Sequence, residues 1–507
     1  MSSTAETTMS ISKNYQENVS YLNQKLGVPE SFDIVLREMN IGGKKIAIYS
    51  VNGMISRPAS NMILEVLSKI ERVELAVNAV DKLVKSKIVD LQVSEVEAMD
   101  EVIYFLLSGT MAILIEGRTQ AIIVDIRTYP GRMPQEPDIE RVTRGSRDGF
   151  TETLVFNTIL IRRRLRDPGL RMKLVKAGSR SKTDVCIAYI EDITNPKMVE
   201  YIEKEIKNIK IDGIPMAEKT VEEFILGSKF WNPFPRVRYT ERPDVAAIHL
   251  LEGNVIVMVD TSPSIIIAPC TFWHHVQHAE EYRQEPVVGM YLRWVRFIAI
   301  FLSVFLTPLW LAAALNPQLL PEGLQFIGVQ KPARIPLLFQ VLMGELSIDM
   351  LRMAAIHTPS PLATALGLIA VFMMGDVAIQ VGLFTPEVVM YTAIAAVGTF
   401  ATPSYELAQA NRLVRLFLVL AAGLFNFWGF GAGVLLVLFV LLRTNSFGVP
   451  YLWPLIPMDI KALSTILIRN PVPINNLRPS IFKPKDRIRQ PKDKQTKEKQ
   501  PKERTNP

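Results

Sequence analysis

"FIAIFLSVFLTPLWLAAAL" (Phe297–Leu315) divides this chain into two kinds of protein. The run carries no charge over about 20 residues, the length a helix needs to cross a bilayer core. Up to Arg296 the sequence reads as a water-facing protein. From Phe297 to Leu442 apolar runs recur: Pro361–Phe384, with one acid, Asp376; Glu387–Ala401, short and fenced by Pro386 and Pro403; and Arg412–Leu442, long, Gly-rich and open to being kinked or split in two. These runs predict a membrane domain over 291–442 with about four spans. Basic flanks orient it. Arg283, Arg293 and Arg296 precede the first span and Arg443 follows the last, so both ends are expected in the cytoplasm.

The part before the spans predicts an α/β cytoplasmic region of two subdomains, 31–140 and 141–290, after a disordered N-terminus over 1–30. The whole is then an α/β region followed by an α-helical multipass membrane domain. Two strand-like runs flank Gly42-Gly43, a hairpin signal. Helical periodicity runs over Ala59–Ser86, and Ser94 with Glu97 reads as a capping box for a helix ending at Gly109. Thr110–Gly131 reads as a second hairpin. In the next subdomain, "LRMKLVKAG" and "KTDVCIAYI" read as strands, and Asn195-Pro196 opens a helix. "LIEGRTQAIIVD" and "LLEGNVIVMVD" resemble each other, which hints at two related subdomains.

The formal charge of +7 belongs to the C-terminal end. From Arg478 on there are eleven Lys and Arg against four Asp and Glu, and the rest of the chain is neutral. The charge therefore gives no argument for nucleic-acid binding. The tail over 443–507 is expected to be cytoplasmic and largely disordered, either solvated or drawn to anionic lipid headgroups. Cys186 and Cys270 lack any C-x-x-C spacing and read as buried free thiols. No secretory signal appears in Met1–Tyr21.

Three of the five histidines fall in "TFWHHVQHAEEY" (Thr271–Tyr282). His274 and His278 are four apart, the spacing that puts two metal ligands on one helix face. The zinc-protease pattern needs Glu directly after the first His, and His275 stands there. A decorated helix before the membrane is the favoured reading over a metal site. His274, His275, His278 and Glu281 then belong to a helix coupling the two halves, and its histidines titrate near neutral pH. No P-loop, nucleophile elbow or dinucleotide-binding glycine fingerprint is present, so no enzyme class, cofactor or metal is expected.

"PLLFQVLMGELSIDMLRMAAIH" (Pro336–His357) is helical in period and mostly apolar. At 100° per residue, Glu345, Asp349 and Arg352 fall within roughly 60° of one another. Two readings stay open. One acid neutralises Arg352, or a net negative stripe with Asp376 lines a polar path for cations. For "IRRRLR" (Ile161–Arg166), Arg162, Arg163 and Arg164 cannot share one face. They read as a solvated helix end with carboxylate partners, or as a subunit or lipid contact.

The blocks "NTILIRRRLRDPGLRM", "SKTDVCIAYIEDITNP", "ERPDVAAIHLLEGNVIVMVDTSP", "MGELSIDMLRMA", "TFATPSYELAQANRLVR" and "SFGVPYLWPLIP" resemble the A subunits of GerA-type spore germinant receptors. "GDVAIQVGLFTPEVVMYTAIAAVGTFATPSYELA" is closer still to the stage V sporulation branch of that family. The resemblance covers nearly the whole chain. It implies a multipass protein of the spore inner membrane that supports or amplifies germination. It also implies a homo-oligomer, with a pentamer as the expected form, that releases monovalent cations. Expected partners are membrane lipids, another small membrane subunit and other germination proteins. The family-shared positions are Arg162–Arg164, Asp184, Glu191, Glu252, Glu345, Arg352, Pro403, Ser404 and Tyr405, with no chemical role attached to any. The histidines stand where the family is Phe-rich, so they are not a family metal site. The alternative is a non-conducting signalling or scaffold subunit.

Overall fold

The computed structural model describes residues 9–68, 92–129, 140, 142–227, 231–330, 334–357, 375–471 and 477–489. The periodicity beyond residue 68 and most of the Pro361–Phe384 run lie outside these residues. The chain forms two compact units. The first takes Met1–Ser228, Tyr239–Pro269 and Val472–Pro507; the second takes Lys229–Arg238 and Cys270–Pro471.

The first unit begins with α1 (Tyr15–Leu26), opened by Asn14, whose side chain accepts from the amides of Gln16 and Glu17. Strands β1 (Ile34–Ile41) and β2 (Lys44–Val51) form the hairpin around Gly42-Gly43, and both glycines have positive φ. After α2 (Arg57–Ser68) come β3 (Gln92–Val96), α3 (Met99–Leu107), β4 (Met111–Ile115) and β5 (Ala121–Asp125). The sheet order is β1-β2-β4-β5-β3. Because strand side chains alternate faces, Ala47 and Tyr49 pack with Leu22 of α1 and Leu106 of α3, while Ile46 and Ile48 pack with Ile63 and Leu67 of α2. The capping box read at Ser94 does not form. Ser94 is a strand residue opposite Ile123, and α3 starts after Ala98 with no side-chain cap.

The second subdomain repeats this winding. It runs α4 (Leu154–Arg164), β6 (Leu170–Ala177), β7 (Thr183–Ile190), α5 (Pro196–Lys207), α6 (Ala217–Leu226), β8 (Arg238–Thr240), α7 (Pro243–Glu252), β9 (Val255–Val259) and β10 (Ile265–Ala268). Its order is β6-β7-β9-β10-β8, the same path strand for strand. The hint of a repeat holds, with a shift of one strand. "LIEG" turns between β4 and β5, whereas "LLEG" ends α7 before β9. The matching stops are Gly109 after α3 and Gly253 after α7, at φ of 102° and 97°. Both need the left-handed conformation that glycine adopts at low cost.

Arg162 joins the subdomains. Its side chain is 1% exposed. Nε donates to Asp33 Oδ2 at 2.8 Å, and the two terminal nitrogens donate to the Asp167 and Leu170 carbonyls at 3.0 Å each. Ser31 Oγ donates to Asp33 at 2.8 Å and accepts from the Met172 amide at 3.0 Å. Residues 477–489, the described start of the basic tail, lie against this unit. Within this unit Arg478 donates to the Leu251 carbonyl at 2.8 Å and to Asp486 at 2.6 Å.

The second unit holds α8 (Phe272–Val276), α9 (Ala279–Arg283), α10 (Pro286–Ala314), α11 (Leu337–His357), α12 (Pro386–Phe400), α13 (Tyr405–Arg443), the short pair β11 (Asn445–Ser446) and β12 (Val449–Pro450), and α14 (Ile460–Leu467). Two of these, α10 and α13, are long and apolar enough to cross a membrane, each with mean hydropathy 2.2. α13 is not one rod. Asn426 sits at φ 54°, ψ −141°, outside helical space. Beyond it the chain doubles back. A Cβ on Gly429 would stand 2.0 Å from the Ala421 carbonyl oxygen, and one on Gly433 would stand 2.8 Å from Leu418. Val434, Val437, Val440 and Leu441 accordingly pack against Leu407, Ala410, Val414 and Leu418. At ~1.5 Å per residue the arms 405–425 and 427–443 are about 31 Å and about 25 Å long, so the run forms a helical hairpin.

Two outcomes follow. Asp33→Ala leaves the Arg162 charge buried without its acid and is expected to cost about 3–5 kcal/mol. Thermal unfolding of the purified protein measures it, and Asp33→Leu with Arg162→Leu is expected to recover most of the loss. Gly429→Leu is expected to lower the melting temperature in detergent well beyond Gly431→Leu, because a Cβ at Gly431 meets nothing within 4 Å.

Candidate functional site

The histidine stretch is not one helix. Gln277 is extended at φ −83°, ψ 142°, and separates α8 from α9. His278, also extended, caps α9 by accepting from the Glu280 amide at 3.2 Å. The one-face geometry of His274 and His278 is therefore absent, because the capping role of His278 ends the helix that would align them. His274 Nδ1 instead accepts from the Thr271 amide at 3.0 Å and meets Thr271 Oγ1 at 2.8 Å. Burial, reinforced by the positive charge of Arg238, lowers its pKa from 6.5 to about 3. His275 is 1% exposed. Its Nε2 lies 3.2 Å from Cys270 Sγ and its Nδ1 lies 3.0 Å from Ser404 Oγ, the N-cap of α13. Burial first, then Arg238 and His274, push its pKa well below 6.5. These two rings are neutral in mild acid, so the expectation that their titration tunes the stretch is corrected for both. The ring of Tyr451, beyond the far end of α13, stands 6.2 Å from the ring of His275. Both ends of the helical hairpin thus meet at this imidazole.

Glu281 is fully buried and holds α9 against α10. Arg293 Nε donates to it at 2.6 Å, and Arg296 pairs with its other oxygen. Arg293 also donates to the Ile466 carbonyl of α14 at 2.6 Å. Two of the three arginines read as flanks of the first span, Arg293 and Arg296, thus pair with one acid.

The acids of α11 go to α13. Glu345, fully buried, receives Arg415 Nη2 at 2.8 Å, and the other terminal nitrogen of Arg415 donates to the Ser303 carbonyl at 2.6 Å and to Thr399 Oγ1 at 3.0 Å. One guanidinium therefore ties α10, α11, α12 and α13 together. Asp349 pairs with Arg412 one turn away. Neither acid neutralises Arg352, which lies over the Phe400 ring at 5.3 Å from its centroid. Asp376 is exposed and accepts from Gln380 at 2.8 Å. On α11 the stripe is therefore not net negative, because Glu345 and Asp349 each have an arginine of α13. Reading α11 alone hid this. The signal was Arg412 and Arg415, three apart at the head of the next long apolar run, matching acids four apart.

The other basic cluster separates by face. Arg162 is the buried clamp and offers no surface to a subunit or lipid. Arg163 is exposed, over the Tyr129 ring at 4.8 Å. Arg164 pairs with Asp148 at 2.6 Å.

Comparison with known proteins gives consistent matches. A family model described as Bacillus/Clostridium GerA spore germination protein matches residues 20–481. Stage V sporulation protein AF of Bacillus subtilis (strain 168) is 49% identical over 480 residues, 94% of this chain and 97% of its own. The uncharacterized membrane protein YfkQ of the same organism is 31% identical over 76% of this chain and 75% of its own. The crystal structure of the N-terminal domain of the A subunit of the Bacillus megaterium spore germinant receptor GerK3 aligns at TM-score 0.42 and 28% identity, over 53% of this chain and 99% of that one.

A group whose folded pKa is depressed below its unfolded value of about 6.5 costs stability once the unfolded state binds the proton. For His274 that loss grows as pH falls below about 6.5 and continues down to its folded pKa of about 3. The melting temperature is expected to drop between about pH 7 and about pH 5. A melt series on His274→Gln is expected to show a shallower drop over the same range.

Proposed function

The chain belongs to the Bacillus/Clostridium GerA family of spore germination proteins, and on that premise we propose that it is an oligomeric cation-channel subunit of the spore inner membrane. In this reading it supports or amplifies the germination response by releasing monovalent cations. Family membership, two long apolar helices and a relative described as a membrane protein establish a membrane protein of spore germination. The finer reading rests on Glu345. A carboxylate fully buried among apolar helices is costly to keep, and intramembrane acids are found along ion paths. The Glu345–Arg415 pair cancels that charge at rest, so conduction requires α11 and α13 to part and free the two acids. The proposed assembly is a homo-oligomer, a pentamer by family resemblance, in contact with lipid, a small membrane subunit and other germination proteins. Both termini would lie on the cytoplasmic side.

The pairing of both acids also favours a second reading, a non-conducting signalling or scaffold subunit whose membrane charges only hold the bundle. Flux from liposomes separates the two. The oligomer, reconstituted with its membrane partner, is expected to pass potassium or sodium. Glu345→Gln, which keeps the shape and removes the charge, is expected to reduce that flux at least tenfold. Absence of flux from a correctly assembled wild-type oligomer would establish the scaffold reading instead.

A further inference from the structure

The seam between α11 and α13 holds more polar atoms than its ion pairs use. Glu345 and Asp349 are one turn apart on α11, and Asn411, Arg412 and Arg415 occupy one turn of α13. The pairs Glu345–Arg415 and Asp349–Arg412 cross the seam antiparallel. Each carboxylate commits one oxygen to its pair, and each arginine commits its two terminal nitrogens but not its Nε. Glu345 Oε1, Asp349 Oδ1, Arg412 Nε and Arg415 Nε are buried without a hydrogen-bond partner among the described residues, and so is Asn411 Nδ2. Glu345 is fully buried, Arg415 is 1% exposed and Asn411 is 5% exposed. Every orphan but Asn411 Nδ2 belongs to a carboxylate or guanidinium whose other atoms bridge the two helices, so the orphans line one seam.

Their chemistry selects the occupant. Two are acceptors and three are donors. A cation would satisfy Glu345 and Asp349 and be repelled by two guanidinium groups. An anion would satisfy the donors and be repelled by two carboxylates. A molecule that both donates and accepts satisfies both kinds, and buried water is held where it bonds several otherwise unsatisfied polar groups. We propose that the seam between α11 and α13 binds a cluster of ordered water inside the membrane bundle, bridging Glu345, Asp349, Asn411, Arg412 and Arg415. The site goes beyond the channel reading and does not depend on it, because the same water stabilises a bundle that never conducts. A seam already wet has less to do before it passes a hydrated ion, since the carboxylates are solvated before the arginines release them.

Water-edited solid-state NMR on the full chain in liposomes tests this without a substitution. Asn411-Arg412 is the one Asn-Arg step in the sequence, so both residues can be assigned by paired labelling. Polarisation from water is expected to reach Asn411 Nδ2 and Arg412 Nε several-fold faster than it reaches the backbone amides of Leu418 and Val419, one to two turns along in the dry core. Transfer as slow as to those amides overturns the proposal. Asn411→Leu is a second reading of the same site and is expected to slow transfer to Arg412 Nε; an unchanged rate counts against a shared cluster. Flux without fast water transfer would leave the channel reading and remove this one, and fast transfer without flux would do the reverse.

Discussion

Arg415 of α13 meets three other helices with one planar group, and the bundle depends on it. An arginine in apolar surroundings persists only when its charge and its donors are matched. Glu345 supplies the charge and takes one terminal nitrogen, while Ser303 and Thr399 take the other. Each partner lies on a different helix, so the requirement becomes a constraint on register. α10, α12 and α11 must present a carbonyl, a hydroxyl and a carboxylate at one level. Small residues permit that level to exist. A Cβ on Gly398 would stand 2.3 Å from the Ala299 carbonyl oxygen, so α12 closes on α10 only with glycine there.

The same logic governs the first unit at a different price. Arg162 and Asp33 lie between two sheets rather than among apolar helices, and every nitrogen of that guanidinium finds an oxygen. One of the three consecutive arginines is thereby removed from the surface, one is left to solvent and one holds a nearby loop acid. A dense basic run in a sequence thus has three fates at helical spacing. Only the exposed Arg163 remains available to a partner.

Much of the architecture was legible in period and punctuation. The strand runs, the glycine turns and Asn195-Pro196 gave β1, β2, β4 to β7 and α5, because alternation, positive φ and capping are local, whereas α1 stands in a segment expected to be disordered. The repeat was legible too, with its register shifted, since Glu-Gly recurs at two different kinds of chain reversal. Ser94 misled because its strand pairing with β5 outweighed a local cap. The charged helix was half legible. Glu345 and Asp349 declared themselves by lying in an apolar run, but their partners lie about seventy residues on, beyond any periodicity. The histidines misled most. Their spacing suggested a continuous helix, and two consecutive extended residues, Gln277 and His278, undid it.

The imidazole of His275 touches the first residue of the long hairpin and stands beside the ring that follows its last. A tongue of two arms anchored at one root cannot shear, because both arms share the anchor. It can only swing or slide as one piece. The short helix carrying His275 is therefore held to the start of the first arm and to the segment after the second, with Arg412 and Arg415 within about three turns of that anchor.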